Sequence, residues 1–269
     1  MIIIIVDSNY PRFLTRNFKP FDPVKLAFET EKIVSRNSER KYTAFYATGV
    51  YRGISTGYIV GCCLRCFYCW SEFSRDFPEF YGYFFSPEVA IKRIVKAAKE
   101  YGTSKARISG GEPTLCRKHL IRLLELFHQA ELKLFILETN GILLGYDKSY
   151  VKELSKFERI HVRVSIKAGF PITFERRTGA IRDAFELPFK AVKYLADYGI
   201  SFHVAAMTDR RIMSAKERSE IINKLSEIDK RLAENLEEEI IDPYTTTIVR
   251  LTAYGIDPYK FFSKSTSPI

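Results

Sequence analysis

The feature that most constrains the fold of this chain is a repeated alternation of short β-type segments with amphipathic helical segments. The pattern predicts six strands, at residues 55–60, 105–109, 133–138, 160–167, 200–207 and 245–252. Helices are predicted between them, at residues 87–101, 117–130, 149–157, 184–198 and 215–238. Such alternation indicates parallel βα units, because parallel strands need long crossover connections. A chain of 269 residues can form either an open doubly wound sheet or a complete or partial barrel.

The two faces of the predicted strands help to choose between these folds. In the fourth strand one face is apolar and the other carries His161, Arg163, Ser165 and Lys167. A sheet with helices on both faces should be apolar on both. One polar face therefore favours a partial (β/α)6 barrel of the TIM type, with helices outside and a polar cavity inside. The alternative is that some of these strands are edges with a solvated face.

The first 54 residues are expected to form an N-terminal extension, followed by a core barrel at 55–255 and a tail at 256–269. Asp22-Pro23 begins a predicted helix that runs to about residue 36, and residues 41–50 are predicted as a strand. The apolar opening at residues 1–6 has no basic segment before it and is interpreted as a strand. No apolar run reaches 18 residues, so we expect no membrane span and a cytoplasmic protein.

The net charge of +10 permits an anionic partner such as RNA. The basic residues are scattered, however, and form no Arg-rich tail, so a solvated basic surface is the favoured interpretation.

The chain has five cysteines, and four of them lie within eight residues: Cys62, Cys63, Cys66 and Cys69, with Cys116 further along. This crowding is atypical of a disulfide framework and indicates a metal site. Three thiolates from one loop suit an iron–sulfur cluster with one iron left without a protein ligand. A structural zinc site is the alternative, but it needs four ligands, and neither a second cysteine pair nor a histidine cluster lies nearby in the sequence.

Two motifs taken together resemble those of the radical S-adenosylmethionine (SAM) superfamily. The loop from Cys62 to Cys69 is similar to the C-x3-C-x-aromatic-C signature of that family. Gly110-Gly111-Glu112-Pro113 follows the second predicted strand and resembles the family's GGEP motif. The third predicted strand ends on Glu138-Thr139-Asn140-Gly141, as in many members. The resemblance covers about residues 55–255.

The resemblance implies that Cys62, Cys66 and Cys69 ligate three irons of one [4Fe–4S] cluster, while SAM chelates the fourth. Electron transfer from the reduced cluster would break the S–C5′ bond of SAM, and the 5′-deoxyadenosyl radical would take a hydrogen atom from the substrate. The electron donor would be a reduced ferredoxin or flavodoxin. The residues that the resemblance implies for SAM binding are Tyr68, Gly110, Gly111, Glu112, Glu138, Asn140 and Ser165.

Four further residues are candidates for catalysis or substrate binding: Lys167, Arg163, Arg250 and His203. If the strands close into a partial barrel, these side chains and Arg107 would point into one cavity in which cations outnumber carboxylates. Unpaired buried cations are costly, so we expect a small anionic substrate there.

Single-cluster branches of the family fit best, because only Cys116 remains for an auxiliary cluster. Activating enzymes of glycyl-radical proteins carry an aspartate where this chain has Ser165, which weakens that assignment. Enzymes that modify a protein or tRNA, and a non-catalytic zinc or iron–sulfur module, remain as alternatives.

Overall fold

The computed structural model describes residues 9–264, so the strand predicted at residues 1–6 lies outside the described residues. The strands are β1 (Ser35–Arg36), β2 (Glu39–Thr48), β3 (Ile54–Ile59), β4 (Tyr83–Phe85), β5 (Lys105–Ser109), β6 (Leu134–Thr139), β7 (Ile160–Ile166), β8 (Phe202–Met207) and β9 (Glu237–Glu239). The helices are α1 (Pro23–Val34), α2 (Pro87–Tyr101), α3 (Arg117–Gln129), α4 (Ile142–Tyr146), α5 (Lys148–Leu154), α6 (Pro171–Thr178), α7 (Leu187–Asp197), α8 (Ala215–Ile228), α9 (Lys230–Glu234), α10 (Thr245–Ala253) and α11 (Pro258–Phe262).

Local signals fix the starts of the first two helices. The Asp22 carboxylate accepts hydrogen bonds from the amides of Val24 and Lys25, and the Ser86 side chain accepts one from Val89. In both helices a proline follows the capping residue, where its missing N–H costs nothing. No helix within residues 9–264 combines the length and hydrophobicity that a membrane-spanning segment requires.

Six parallel strands form the centre of one sheet, in the order β3-β5-β6-β7-β8-β9. Within the described chain the sheet path ends at β9, so the barrel stays open. This is the predicted partial (β/α)6 barrel. Val162, Val164 and Ile166 of β7 lie on the helix side and are at most 1% exposed, whereas Arg163 and Ser165 face the interior and bond to glutamates of β9.

The prediction for the last strand was wrong. Residues 245–252 belong to helix α10, and the sixth parallel strand is β9. The helix predicted at 215–238 ends earlier, at Ile228, and the short helix α9 precedes β9.

Three consecutive glutamates make β9 a poor strand by intrinsic preference. Basic residues on other elements compensate, because Glu237 and Glu239 both pair with Arg163 of β7, and Glu238 on the opposite face pairs with Arg218 of α8. Ion pairing made only in the folded protein thus overrides the local preference.

The N-terminal extension packs directly against the barrel. Strand β2 is antiparallel to β3 and lengthens the sheet by one strand. Helix α1 lies against the end of β3, because a Cβ placed on Gly61 would be 2.7 Å from Thr30 Cγ2 and 3.0 Å from Val34 Cγ1. Gly61 also has a φ of +88°, so this position requires glycine for two reasons.

A buried histidine joins the extension to helix α3. His119 is 1% exposed, and its Nε2 lies 2.7 Å from the Tyr42 hydroxyl of β2. Its Nδ1 lies 2.8 Å from the Ser38 carbonyl oxygen. Because a carbonyl only accepts, Nδ1 carries the proton and Nε2 accepts from Tyr42.

His119 predicts a loss of stability in mild acid. Burial lowers the pKa of His119 to about 4, whereas an unfolded histidine titrates near pH 6.5. The stabilisation from the neutral ring is therefore complete above about pH 6.5 and is lost as the pH falls toward 4, up to about 3 kcal/mol in all. His119→Gln should flatten this dependence of the free energy of unfolding, measured by urea titration from pH 7 to 5.

Ile121→Val, a half-buried position on the same helix without a titrating group, is the control and should leave the slope unchanged. Equal slopes for wild type and His119→Gln would contradict the assignment.

Candidate functional site

The cysteine loop, residues 61–69, begins where β3 ends. Cys66 is buried, and Cys62 and Cys69 are half-buried. The amide of Cys69 donates to the Cys66 carbonyl at 3.2 Å, and the amide of Leu64 donates to Cys62 Sγ at 3.4 Å. The parallel strands therefore present this loop at the carboxyl end of the barrel, the usual place for a site in such folds.

Three buried guanidinium groups hold the backbone carbonyls of the cysteine loop. Their bonds to carbonyl oxygens are Arg65 Nη1 to Cys62 (2.7 Å), Arg75 Nη1 to Cys66 (2.8 Å) and Arg250 Nη1 to Cys69 (2.5 Å). Arg65 belongs to the loop and Arg75 follows it closely, whereas Arg250 is distant in sequence, so both local and tertiary contacts set the course of the loop.

The structure places Arg250 differently from the sequence prediction. It comes from helix α10 and donates to the carbonyls of Ser71 and Glu72 and to the Asp76 carboxylate. It is 1% exposed and lies beside the cysteine loop instead of in a cavity between strands. The predicted position of Arg250 on a strand that faces the cavity is therefore wrong, and its contact with substrate stays a prediction.

The charges beside the cysteine loop are unbalanced. Arg65, Arg75 and Arg250 are all at most 1% exposed, and among the described carboxylates only Asp76 bonds to any of them. Burying cations without compensating anions is costly. Thiolates at the cysteines, or an anionic group bound by them, would supply the missing negative charge.

The pKa values of the Cys62 and Cys66 thiols are shifted in opposite directions. A hydrogen bond with Cys63 lowers the pKa of Cys62 to about 7, although burial opposes this. Burial raises the pKa of Cys66 to about 12, and the neighbouring sulfurs of Cys69 and Cys62 add to the rise. Cys62 and Cys69 are thus close enough to Cys66 for a negative charge on either to act on it. Metal binding would compensate for the cost of a buried thiolate at Cys66.

The donor set fits an iron–sulfur cluster better than a single ion. Within residues 9–264, no three or more His, Cys, Asp or Glu side chains are arranged to hold one metal ion. Zinc needs its sulfur ligands around a single centre at about 2.3 Å, whereas the cysteines of a [4Fe–4S] cluster bind different irons. Three cysteines on one loop, with no fourth ligand beside them in the sequence pattern, suit the second case.

The glycine loop, residues 109–114, lies directly on the start of the cysteine loop. The Glu112 amide donates to the Gly61 carbonyl at 2.8 Å. A Cβ on Gly111 would lie 2.4 Å from that same oxygen, and Gly110 has a φ of +85°. The two loops therefore have a fixed relative position, and a side chain at 111 would push them apart.

The Glu112 carboxylate is buried and already fully engaged. Oε1 accepts from the Thr114 and Thr139 hydroxyls, both at 2.7 Å, and Oε2 accepts from the Asn140 amide at 2.8 Å. The side chain thus joins the ends of β5 and β6. Because its carboxylate already has protein partners, only the backbone of Glu112 is expected to contact SAM, and that contact stays a prediction.

Asn140 and Tyr68 lie beside the cysteine sulfurs. Asn140 Nδ2 is 3.3 Å from Cys63 Sγ and 3.7 Å from Cys62 Sγ. The Tyr68 hydroxyl is buried beside the Cys66 sulfur, outside hydrogen-bond geometry, and has no hydrogen-bond partner in the described chain. An unpartnered donor next to a candidate ligand is what a site for a further bound group would contain.

Glu138 is the centre of one polar cluster inside the barrel. Its Oε1 accepts from Tyr51 (2.7 Å) and Arg107 (2.8 Å), and its Oε2 accepts from Ser109 (2.8 Å). Tyr51 reaches in from the turn before β3, where its φ is +54°.

A second polar cluster forms around β9. Glu239 accepts from Arg163 at 2.8 Å and from Ser165 at 2.7 Å, and Lys167 Nζ lies 3.7 Å from it. Burial raises the pKa of Glu239, but Lys167 and Arg163 outweigh burial and hold this pKa below its usual value.

Glu237 continues this cluster toward the bottom of the barrel. It accepts from Arg163 and lies 2.8 Å from His203 Nε2. The hydrogen bonds from His203 and Arg163 lower the pKa of Glu237 to about 2. His203 Nδ1 lies 2.6 Å from His161 Nε2, so His203 connects His161 to Glu237 by hydrogen bonds.

The predicted excess of interior cations is therefore wrong. The cations on the inner strand faces each have carboxylate partners, in the pairs Arg107–Glu138, Arg163–Glu237, Arg163–Glu239 and Lys167–Glu239. Glu138 lies on a correctly predicted strand, but Glu237 and Glu239 come from β9, which was not predicted as a strand. The electrostatic argument for an anionic substrate loses its premise.

Sequence reasoning missed Tyr51, Asp76, Glu237 and Glu239. Asp76 had a local signal, since it directly follows Arg75 and comes soon after the cysteines. Tyr51 had none, because its contact with Glu138 spans 87 residues. The acidic run 237–239 could have suggested partners for the basic residues of β7.

The sequence profile of the Radical SAM superfamily matches residues 57–227. A protein of Methanococcus maripaludis named Probable GTP 3′,8-cyclase is 37% identical over 117 residues, which are 44% of this chain and 37% of that protein. One of the same name from Saccharolobus islandicus is 33% identical over 139 residues, covering 52% of this chain and 42% of the relative. The chain thus spans about two fifths of the length of these curated relatives.

Solved structures show the same fold at low identity. SuiB of Streptococcus suis bound to the precursor peptide SuiA aligns with a TM-score of 0.53 at 20% identity, covering 68% of this chain and 38% of that chain. The protein anSMEcpe with bound AdoMet aligns with a TM-score of 0.50 at 20% identity, covering 70% of this chain and 52% of that chain. At these identities the likeness is one of fold alone.

Arg250→Met should lower the amount of iron bound per chain after anaerobic reconstitution. The change removes the carbonyl bonds at Cys69, Ser71 and Glu72, so the end of the cysteine loop loses its support. Stability should also fall by about 3–5 kcal/mol, because a buried ion pair is broken.

Arg211→Met is the matched control, since Arg211 is also buried against an aspartate, Asp209, but contacts no part of the cysteine loop. It should lose stability and retain iron. Equal iron content in the two variants would show that Arg250 does not support the loop.

Proposed function

Because the chain belongs to the radical SAM superfamily, whose enzymes carry a [4Fe–4S] cluster and use SAM, we propose that Cys62, Cys66 and Cys69 hold the cluster. We further propose that the enzyme is an oxidoreductase that cleaves SAM reductively and takes a hydrogen atom from its substrate. When bound, the cluster supplies the electron for that cleavage. A reduced ferredoxin or flavodoxin is the proposed electron donor.

The observation that carries this proposal is the uncompensated positive charge beside the loop that bears Cys62, Cys66 and Cys69. Arg65, Arg75 and Arg250 are buried with a single carboxylate, and all three donate to carbonyls of the cysteine loop. Backbone bonds hold the loop while the sulfurs stay available. The surroundings therefore suit an anionic group ligated by Cys62, Cys66 and Cys69.

The neighbouring residues are proposed to bind and orient SAM. The glycine loop offers backbone next to Gly61, and the buried hydroxyl of Tyr68 is a free donor beside Cys66. Asn140 orients the sulfurs of the adjacent cysteines, and Ser165 and Lys167 present a hydroxyl and an ammonium from the end of β7. The paired clusters around Glu138 and Glu239 lie on the inner faces of the strands.

The name of the curated relatives supports a purine nucleotide as the first substrate to test. The paired interior charges neither require nor repel an anion. We therefore propose that recognition of the substrate lies at the rim of the barrel, outside the paired clusters.

Cys62→Ala, Cys66→Ala and Cys69→Ala should each abolish the broad visible absorbance of the reconstituted cluster. Cys63→Ala should keep it, because the Cys63 sulfur is buried against the Asn140 side chain and is one residue out of the ligand spacing. The measurement is anaerobic reconstitution with iron and sulfide, followed by absorbance and iron content.

Cys116→Ala serves as a further control, since Cys116 is 1% exposed and lies outside the cysteine loop. Loss of the cluster in Cys63→Ala, with retention in one of the three ligand variants, would overturn the ligand assignment.

A further inference from the structure

An aromatic cavity of about 350 Å³ lies beside the glycine loop, against strands β2 and β3. Its volume is within the range of small-molecule sites. The lining residues are Thr43, Ala44, Tyr46, Tyr58, Ile59, Trp70, Glu72, Ser74, Tyr81 and Gly110. None of the catalytic candidates inside the barrel is among them.

The walls of this aromatic cavity are flat rings. Tyr46 and Tyr58, on neighbouring strands, stack with centroids 4.4 Å apart and an interplanar angle of 22°. Trp70 directly follows the last residue of the cysteine loop, and its side chain is 47% exposed. Tyr46 is 49% exposed. Large aromatic faces left open to solvent in a concave site are suited to stack a planar ligand.

The charge of the lining narrows the ligand further. Of the ten described lining residues none is Lys, Arg or His, and the one carboxylate is Glu72. Hydroxyl groups come from Thr43 and Ser74 and from the three tyrosines of the lining, Tyr46, Tyr58 and Tyr81. Proteins usually bind phosphate through Arg, Lys or backbone N–H groups at helix ends, so this lining does not favour phosphate. Its carboxylate and hydroxyl oxygens can accept hydrogen bonds, so it suits a ring that carries N–H donors.

We propose that the aromatic cavity binds the heteroaromatic ring of the substrate, a ring of the nucleobase class, and does not bind phosphate. The inference rests on the proposed function, because Gly110 belongs both to this lining and to the glycine loop assigned to SAM. A ring held here lies next to the cofactor site and anchors the substrate at the rim of the barrel. The ring stacks on Tyr46 and Trp70 and donates N–H bonds to Glu72.

The test is equilibrium dialysis of guanosine and adenosine against the reconstituted enzyme. At least one nucleoside should bind saturably, and GTP should bind no more than about threefold more tightly than guanosine. Tyr46→Leu should weaken nucleoside binding about tenfold, the equivalent of one lost stacking contact. Tyr46→Phe keeps the ring and should stay within about threefold of wild type. Tyr259→Leu, at an 89% exposed tyrosine in α11, is the control and should bind as wild type does.

Four results would overturn the inference: no binding of either nucleoside, unchanged binding by Tyr46→Leu, binding of GTP without guanosine, or displacement of the nucleoside by SAM. The last result would assign the cavity to the cofactor. SAM cleavage is measured in the same preparations. Enzyme that cleaves SAM but binds no nucleoside contradicts this inference alone, whereas enzyme without SAM cleavage contradicts the proposed function.

Discussion

The buried carboxylate of Glu112 is the interaction on which the candidate site depends. The backbone amide of Glu112 donates to the Gly61 carbonyl just after β3. The carboxylate oxygens of Glu112 accept from Thr139 and Asn140 at the end of β6. Glu112 follows β5, and its bonds thereby join the carboxyl end of β5 to those of the two neighbouring strands, β3 and β6. Because parallel strands end at the same edge, this junction places the cysteine loop, the glycine loop and Asn140 within reach of one another.

A second constraint is electrostatic and couples the site to the stability of the fold. Burying the guanidiniums of Arg65, Arg75 and Arg250 beside one carboxylate leaves positive charge without a partner. Anionic ligands at the cysteines would relieve this cost, so binding of the cluster and ordering of the cysteine loop should favour each other. The two polar clusters inside the barrel differ from the cysteine loop in this respect. Their cations and carboxylates are already paired with one another and link different strands of the sheet.

Most of the barrel follows from local sequence signals, and the exceptions have a common cause. Strand β5 and helix α2 were predicted to within a residue because their ends carry capping or turn residues. The cysteine motif was readable because its ligands share one loop. Residues 245–252 looked like a strand because they are rich in Thr, Ile and Val, yet they form a helix that delivers Arg250 to Asp76. Strand β9 was missed because its glutamates are stabilised only by Arg163 and other cations distant in sequence. Long-range ion pairing decided both segments, and no local pattern reports it.

The central claim is that this chain is a SAM-cleaving iron–sulfur enzyme with a single cluster. The most direct measurement is 5′-deoxyadenosine, quantified by mass spectrometry after the anaerobically reconstituted protein is mixed with SAM and a strong reductant. The account predicts that 5′-deoxyadenosine forms only when both SAM and reductant are present, in a protein that binds about four irons per chain. A protein that binds one zinc per chain, takes up no iron and sulfide, and releases no 5′-deoxyadenosine would contradict it.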